Sequence, residues 1–318
     1  MRASIVIVNW NGKHLLKECL DSVFAQKPGN FEVIIADNAS TDGSCDFIRK
    51  NYPKARLIRN KENLGFAKAN NIAAKSAKGE FLVMLNNDTE VEKSWLANLL
   101  APLERDPSIG ATGSKLIFYS DRKRINSAGT FVSVFGFTGS LGDSLPRKEF
   151  SAEQELFAPC GGGMAIRRSL YSRLGGIYEP FFMYEDDVDL GWRTWNAGFR
   201  VVLSPDSIVY HKYSKEQKPY KYYYMARNRL WCFWKNSRKR ELIWLFPTGL
   251  AFSACLAVGF ALTLQFAKSA STLKGIVHGL LRLPKREPAR NSLAPSHFTG
   301  IAQSLSIAVQ KARKHFSA

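Results

Sequence analysis

Short apolar runs alternate with helix-length segments over residues 1–90. Residues 4–8 (SIVIV) form a β-rich run closed by Asn9-Trp10-Asn11-Gly12, and a helical pattern follows over 15–24. A second apolar run at 31–36 (FEVIIA) closes on Asp37-Asn38-Ala39-Ser40. Ser40 or Thr41 is placed to cap the next helix, which breaks near Pro53. A third strand is expected at 56–58, an Ala-rich helix at 65–77, and a fourth buried strand at 81–85 that closes on Asn86-Asn87-Asp88. Strands alternating with helices predict βαβ units, hence an α/β fold with a mostly parallel sheet flanked by helices. Ligands bind at the carboxyl ends of strands in such sheets. Three successive strand ends carry Asn/Asp clusters; each alone makes a good turn, and the three together favour a binding site.

The pattern loosens between residues 110 and 220, where Gly136, Gly139, Gly142 and Gly161-Gly162-Gly163 punctuate the chain. A short helix is expected at 167–174, ended by Gly175-Gly176, and another at 185–196 with its acids at the N-terminus, where the helix dipole favours them. Strands are expected at 199–203 and 207–210. Residues 242–267 then run for 26 positions without a charge, long enough to cross a bilayer. Pro247 and Gly249 interrupt this run and both its flanks are basic. A single crossing would put one basic cluster outside, against the positive-inside tendency. A bent or re-entrant segment, or a pair of interfacial helices, with both flanks cytoplasmic is therefore preferred over a single-pass span.

Charge sharpens this division. The chain of 318 residues carries a formal charge of +18, of which residues 221–318 hold +14. Two parts are expected: a near-neutral body at 1–220 and a basic, aromatic and apolar helical tail at 221–318. Such a tail seeks an anionic surface, nucleic acid or membrane. The basic-aromatic run at 220–234 suits either partner, and the uncharged segment beside it decides for the membrane and against nucleic acid. Five cysteines without a CxxC pair argue against a disulfide framework or structural zinc and for a reduced, cytosolic setting. The first residues read as a strand rather than a signal peptide.

Seven blocks, in order, resemble the inverting family 2 glycosyltransferases of the GT-A fold, especially rhamnosyltransferase-like members: SIVIVNWNG (4–12), VIIADNASTDGS (33–44), ENLGFAKANN (62–71), LVMLNNDTEV (82–91), CGGGMAIRRSLYSRLGG (160–176), FFMYEDDVDLGWRTWNAGFRV (181–201) and PDSIVYHKY (205–213). Asp37, at the end of the second strand, is placed to accept hydrogen bonds from the base or ribose of a nucleotide-sugar donor, and the resemblance implies the same. Asn9 and Asn11 are expected to shape that pocket. The loop through Asn63 to Gly65 opens a helix whose free N–H groups are expected to face the donor; Asn70 and Asn71 are weaker candidates.

Asn86-Asn87-Asp88 corresponds to the family's metal-binding motif, with Asp88 its one carboxylate and Asn87 grouped with the donor contacts. The resemblance adds His211 as a ligand, and the implied cofactor is a divalent cation, Mg²⁺ or Mn²⁺. It also aligns Asp187 with the catalytic base that takes the acceptor's proton, and Asp186 with the acid before it. Arg193 is the candidate for gripping the diphosphate, with an i,i+4 pair to Asp189 as that acid's plainer role. Trp192 and Trp195 are read as stacking on a sugar or packing, packing being expected for one of them. The implied activity is transfer from a dTDP- or UDP-sugar to a lipid-linked or other saccharide hydroxyl at the cytoplasmic face of the membrane. A nucleotidyltransferase and a nucleic-acid-binding protein are the competing classes.

Overall fold

A computed structural model describes residues 1–27, 29–213, 218–286 and 298–299. The parts of the basic tail at 287–297 and 300–318 lie outside the described residues. In chain order the elements begin with β1 (Ala3–Asn9), α1 (Lys13–Phe24), β2 (Phe31–Asp37), α2 (Ser44–Asn51), β3 (Arg56–Arg59), α3 (Gly65–Lys75) and β4 (Phe81–Asn86). Then come β5 (Thr89–Val91), α4 (Trp95–Arg105), β6 (Ile109–Phe118), β7 (Ile125–Ser127), β8 (Thr130–Ser133), β9 (Thr138–Ser140), β10 (Gln154–Glu155), β11 (Gly163–Arg167) and α5 (Arg168–Arg173). After a 3₁₀ turn at Glu179–Phe181 follow α6 (Asp186–Asn196), β12 (Arg200–His211), α7 (Pro219–Asn236), α8 (Lys239–Leu262), α9 (Phe266–Leu281) and the short β13 (Phe298–Thr299).

The chain divides into two compact units, Met1–Thr130 with Ser140–Tyr213, and Phe131–Gly139 with Ser214–Ala318. In the first, the strand order is β10-β12-β6-β11-β4-β1-β2-β3. Strands β3, β2, β1 and β4 are parallel, as their alternation with helices requires. The second half of the sheet is mixed, because β11 enters antiparallel between β4 and β6. The two segments expected at 199–203 and 207–210 are one strand, β12, with its register shifted between Ser204 and Ile208.

Side chains of β1 divide with a period of two. Ile5 and Ile7 join Val83, Leu85, Leu16, Leu20 and Leu99 on one face. Val6 joins Ile34, Leu82 and Met84 on the other, against Ala67, Ala69 and Ala73 of α3. Helices therefore cover both faces, and the uniformly apolar strands are the consequence. At their carboxyl ends the parallel strands align Asn9 with Asp37 and Val8 with Asn86.

In the second unit α7 packs along α9, and α8 packs along both. The turn before β9 meets α8 closely: a Cβ on Gly136 (φ +70°) would lie 2.3 Å from the Gly249 nitrogen. Phe137 stacks on Phe252 there at 5.1 Å.

Candidate active site

The polar strand ends form one network. Asn9 donates from Nδ2 to Asp37 Oδ2 (2.9 Å) and Ser40 Oγ (3.2 Å), and its Oδ1 accepts from Asn87 Nδ2 (2.8 Å). Ser40 N–H donates to Asp37 Oδ1 (2.9 Å). Asp37 is thereby wholly buried. Both carboxylate oxygens help to join the loops after β1 and β2. Asn9 and Asn87 are likewise internal fasteners. Gly12 is required here, since a Cβ would lie 2.3 Å from Asn87 Nδ2. Asn11, at φ +49°, accepts from Thr41 N–H (2.8 Å) and holds the rim. Between these two asparagines Trp10 stands 57% exposed. A large exposed aromatic at a strand end is itself a signal of a binding role.

Asn63 and Gly65 do not present free N–H groups to a donor. Asn63 Oδ1 accepts from Gly65 N–H (3.0 Å), and the Phe182 carbonyl accepts from the N–H groups of Phe66 (2.6 Å) and Ala67 (3.3 Å). The N-terminus of α3 is capped by the loop that precedes α6, so the anion-binding expectation is corrected. Gly65 sits at φ +76°, where a Cβ would meet the Phe182 oxygen at 2.6 Å. Asn71 is also consumed: Nδ2 donates to Ile177 O (2.8 Å) and Oδ1 accepts from Ile177 N–H (2.9 Å). Asn70 bonds its own helix at Phe66 O.

That capping loop holds three non-glycine residues with positive φ, Phe182 (+66°), Tyr184 (+65°) and Glu185 (+63°). Such conformations cost about 1–3 kcal/mol each and persist where surrounding contacts impose them. Here they deliver the acid cluster. Asp187 is half-buried; its Oδ2 accepts from Gly161 N–H (3.2 Å) and Thr130 Oγ1 (3.5 Å), and Oδ1 accepts from Val188 N–H (2.9 Å). Burial pushes its carboxyl above the usual carboxylate range, opposed by the Gly161 N–H. Asp186 is 7% exposed, and burial followed by the neighbouring charge of Asp187 drives it well above that range. The pair shares protons at a pH where ordinary carboxylates have lost them. Cys160 beside them is pushed up to about 12, chiefly by burial, and stays a thiol.

Arg193 is corrected more sharply. Its Nε donates to Asp189 Oδ2 (2.8 Å), Nη2 pairs with the same oxygen (2.5 Å), Nη1 donates to Leu174 O (2.9 Å), and both side chains are buried. The guanidinium is spent inside the fold and offers no fork to a diphosphate. Both tryptophans of α6 pack, rather than one: Trp192 meets Phe157 edge-on at 5.2 Å, and Trp195 Nε1 donates to Leu156 O (3.0 Å).

Asp88 and His211 come together where β5 pairs with the end of β12. His211 Nε2 lies 3.3 Å from Asp88 Oδ1. His211 Nδ1 lies 2.8 Å from Asn126 Oδ1. A carboxamide oxygen only accepts, so Nδ1 donates to Asn126 and Nε2 is left facing Asp88. Asp88 Oδ1 is buried and accepts no hydrogen bond. A ring nitrogen 3.3 Å from a buried oxygen that accepts no hydrogen bond suits a cation between them. Among the described residues no cluster of three or more His, Cys, Asp or Glu could hold a metal alone. This fits an ion completed by phosphate oxygens and water, the habit of Mg²⁺ and its relatives. Asn126 was not foreseen; it lies in the irregular middle of the chain, where spacing carries no signal.

The triple-glycine turn links the two acid groups. Gly161 N–H holds Asp187, and Gly162 O accepts from Asn86 N–H (3.3 Å), two residues before Asp88. A Cβ on Gly162 would lie 2.9 Å from Leu116, so that link depends on glycine. The turn thus ties the backbone beside Asp187 to the end of β4, from which Asp88 follows.

A model of the family described as glycosyl transferase family 2 matches residues 4–175, more than half of the chain. The chain belongs to glycosyl transferase family 2. The O-antigen biosynthesis protein RfbC of Myxococcus xanthus is 31% identical over 228 residues, which cover 68% of this chain and 18% of that protein. The chain thus spans less than a fifth of that relative. An N-acetylglucosaminyl-diphospho-decaprenol L-rhamnosyltransferase of Mycobacterium tuberculosis is 30% identical over 230 residues, covering 65% of this chain and 75% of that one. Among solved structures, the mannosyltransferase PcManGT of Pyrobaculum calidifontis, in complex with GDP-Man and Mn²⁺, matches with a TM-score of 0.58 at 22% identity, over 88% of this chain and 87% of that one. That likeness is one of fold, and the glycosyltransferase arrangement expected from the sequence is the one observed.

Proposed function

We propose that this family 2 glycosyltransferase moves a sugar from a dTDP- or UDP-linked donor to a hydroxyl of a lipid-linked saccharide, with inversion, during cell-surface polysaccharide synthesis. The observation that carries the reading is the half-buried Asp187 carboxylate, held by Gly161 N–H beside a second acid and raised in proton affinity. Asp187 takes the proton of the acceptor hydroxyl as its oxygen attacks the anomeric carbon. The bond from that carbon to the diphosphate oxygen breaks, and the nucleoside diphosphate leaves with the electron pair. Asp186, buried beside it, acts through Asp187 as a positioning residue.

Asp88 and His211 would hold a Mg²⁺ or Mn²⁺ ion, with Asn126 fixing the imidazole; when bound, that ion supplies positive charge to the leaving diphosphate. Trp10 offers an exposed aromatic face to the base, with Asn11 as its polar edge. Asn9, Asp37 and Asn87 brace that rim, and Asn63 and Gly65 brace the loop that carries the acids.

The O-antigen and decaprenol-linked names of the two relatives support a polysaccharide pathway and a lipid-linked acceptor. Residues 1–220 would carry transfer, and 221–318 would keep the enzyme at the cytoplasmic face of the membrane. A panel of nucleotide sugars, assayed with a diphospholipid-linked saccharide and Mn²⁺ or Mg²⁺, tests the reading. One donor should release its nucleoside diphosphate and yield a product of inverted anomeric configuration. Retention of configuration, or release of inorganic pyrophosphate, would overturn it.

A further inference from the structure

Helices α8 and α9 turn a stripe of apolar side chains outward. On α8 the exposed positions from Ile243 onward are Ile243, Pro247, Ala251, Cys255, Val258 and Leu262, while Leu245, Gly249, Ser253, Ala257 and Phe260 turn inward. On α9 the exposed stripe includes Phe266, Leu273, Val277 and Leu281, and the buried one Ser269, Thr272, Gly275 and Gly279. A helix in water buries its large apolar side chains and exposes polar ones. Small and hydroxylated residues inside, with bulky aliphatics outside, is the arrangement of helices that meet lipid. The small residues let backbones approach: a Cβ on Gly275 would lie 2.4 Å from the Tyr223 carbonyl of α7.

Connectivity turns this apolar surface into a hairpin. Leu264 N–H bonds Ala261 O (3.1 Å) and Gln265 N–H bonds Phe260 O (2.8 Å), closing a tight turn after which α9 packs back on α8. At the tip Leu262, Leu264 and Phe266 are 79%, 76% and 62% exposed. At the open end the two strands of chain are tied together. Arg286 donates to Ser237 O (2.7 Å) and Trp234 O (3.1 Å), and Trp234 Nε1 donates to Pro284 O (3.0 Å). The exposed bases Lys239, Arg240, Arg282 and Lys285 gather at that end; beyond it α8 is uncharged from Leu242, and α9 carries Lys268 and the exposed Lys274. With α8 at 24 residues and α9 at 16, the two helices are about 36 and about 24 Å long. The returning helix falls short of a hydrocarbon core of about 30 Å.

We propose that α8 and α9 form a re-entrant anchor that enters one leaflet of an anionic bilayer and returns, with both basic ends in the same headgroup layer. This rests on the membrane-associated reading above and deepens it: the ties between residues 234–237 and 284–286 exclude a lone crossing by α8. The occupant of the apolar face is lipid hydrocarbon, and the clustered bases select anionic headgroups.

The test uses the full chain synthesised cell-free with sealed vesicles of phosphatidylcholine containing 30% or no phosphatidylglycerol. The chain should float with the anionic vesicles at a lipid concentration at least tenfold below that needed with neutral ones. In a Cys255→Ser background, Lys239→Cys and Arg282→Cys should both react with an impermeant maleimide added outside. Replacing Leu262, Leu264 and Phe266 together by Glu should abolish flotation, while circular dichroism and donor turnover on a water-soluble acceptor persist. Protection of one of the two cysteines would establish a span and overturn the proposal. A chain that stays unfloated as a soluble dimer would overturn it too, by giving the apolar face to a second copy. A floating, doubly labelled chain that turns over no nucleotide sugar would keep the anchor and remove the transferase reading instead.

Discussion

The carbonyl oxygen of Phe182 accepts a hydrogen bond from the backbone N–H of Phe66 at 2.6 Å, and so fastens the loop before α6 onto the first turn of α3. This one contact decides two questions. It fills the helix N-terminus that the sequence offered to a diphosphate, and it holds a strained loop so that Asp186 and Asp187 begin α6 beside the triple-glycine turn.

Gly65→Ala should therefore loosen the acid loop. Its Cβ would fall 2.6 Å from the Phe182 oxygen, in a backbone conformation at φ +76° that alanine resists. A loss of about 1–3 kcal/mol in unfolding free energy is expected. kcat should fall while the donor dissociation constant, read by calorimetry, changes less than threefold.

Asp187→Asn should lower kcat by about 10²–10⁴, the usual contribution of a general base, and leave donor affinity nearly unchanged. Single-turnover rates and equilibrium donor binding separate the two effects. The wild-type rate should rise with pH through a value above the ordinary carboxylate range, because burial raises Asp187 and the base must be ionised to act.

Asp186→Asn should stabilise the fold at pH 8. The Asp186 carboxyl is raised in the folded protein, chiefly by burial and then by the charge of Asp187, so the folded state holds a proton that the unfolded chain has released. Stability from such a group is complete below the unfolded carboxylate value and is lost as pH rises through the raised one. The gain in melting temperature should be seen at pH 8 and vanish toward pH 3, with turnover reduced in exchange.

The fold was legible where local pattern and packing agree. Ile5 and Ile7 against Val6 announced a strand buried on both faces, and Gly175-Gly176 ended α5 as expected. Strand β6 was missed because IGATGSKLIF carries neither alternation nor a long apolar run; its Gly110 and Gly113 answer to Leu170, Phe199 and Pro159, residues distant in sequence. The site was legible as residue types at strand ends, and less so as roles. Arg193 has the chemistry to meet a diphosphate, but its partner Asp189 engages it first. Such competition is settled by three-dimensional neighbours.

Arg193→Met should accordingly act on folding. It takes the guanidinium away from the buried Asp189, and breaking such a pair costs about 3–5 kcal/mol. Whatever folded fraction remains should bind donor normally. Calorimetric unfolding alongside donor titration checks this, and a selective loss of donor affinity at unchanged stability would return Arg193 to the diphosphate.

His211→Ala and Asn126→Ala should both raise the Mn²⁺ concentration needed for half-maximal activity, the first more than the second. Loss of a group that orients a metal ligand typically costs about 10–100-fold in metal affinity. The paramagnetic signal of Mn²⁺ titrated with nucleoside diphosphate reads this without turnover.

The central claim is that Asp88 with His211 and Asp187 with Asp186 serve one transfer step. The most direct measurement is release of nucleoside diphosphate from the productive nucleotide sugar in a matched set: wild type, Asp88→Ala and Asp187→Asn, each with Mn²⁺ and with excess EDTA. The account predicts turnover in the wild type with Mn²⁺ alone, with Asp187→Asn still binding the donor. Undiminished release by Asp187→Asn, or by the wild type in EDTA, would contradict it.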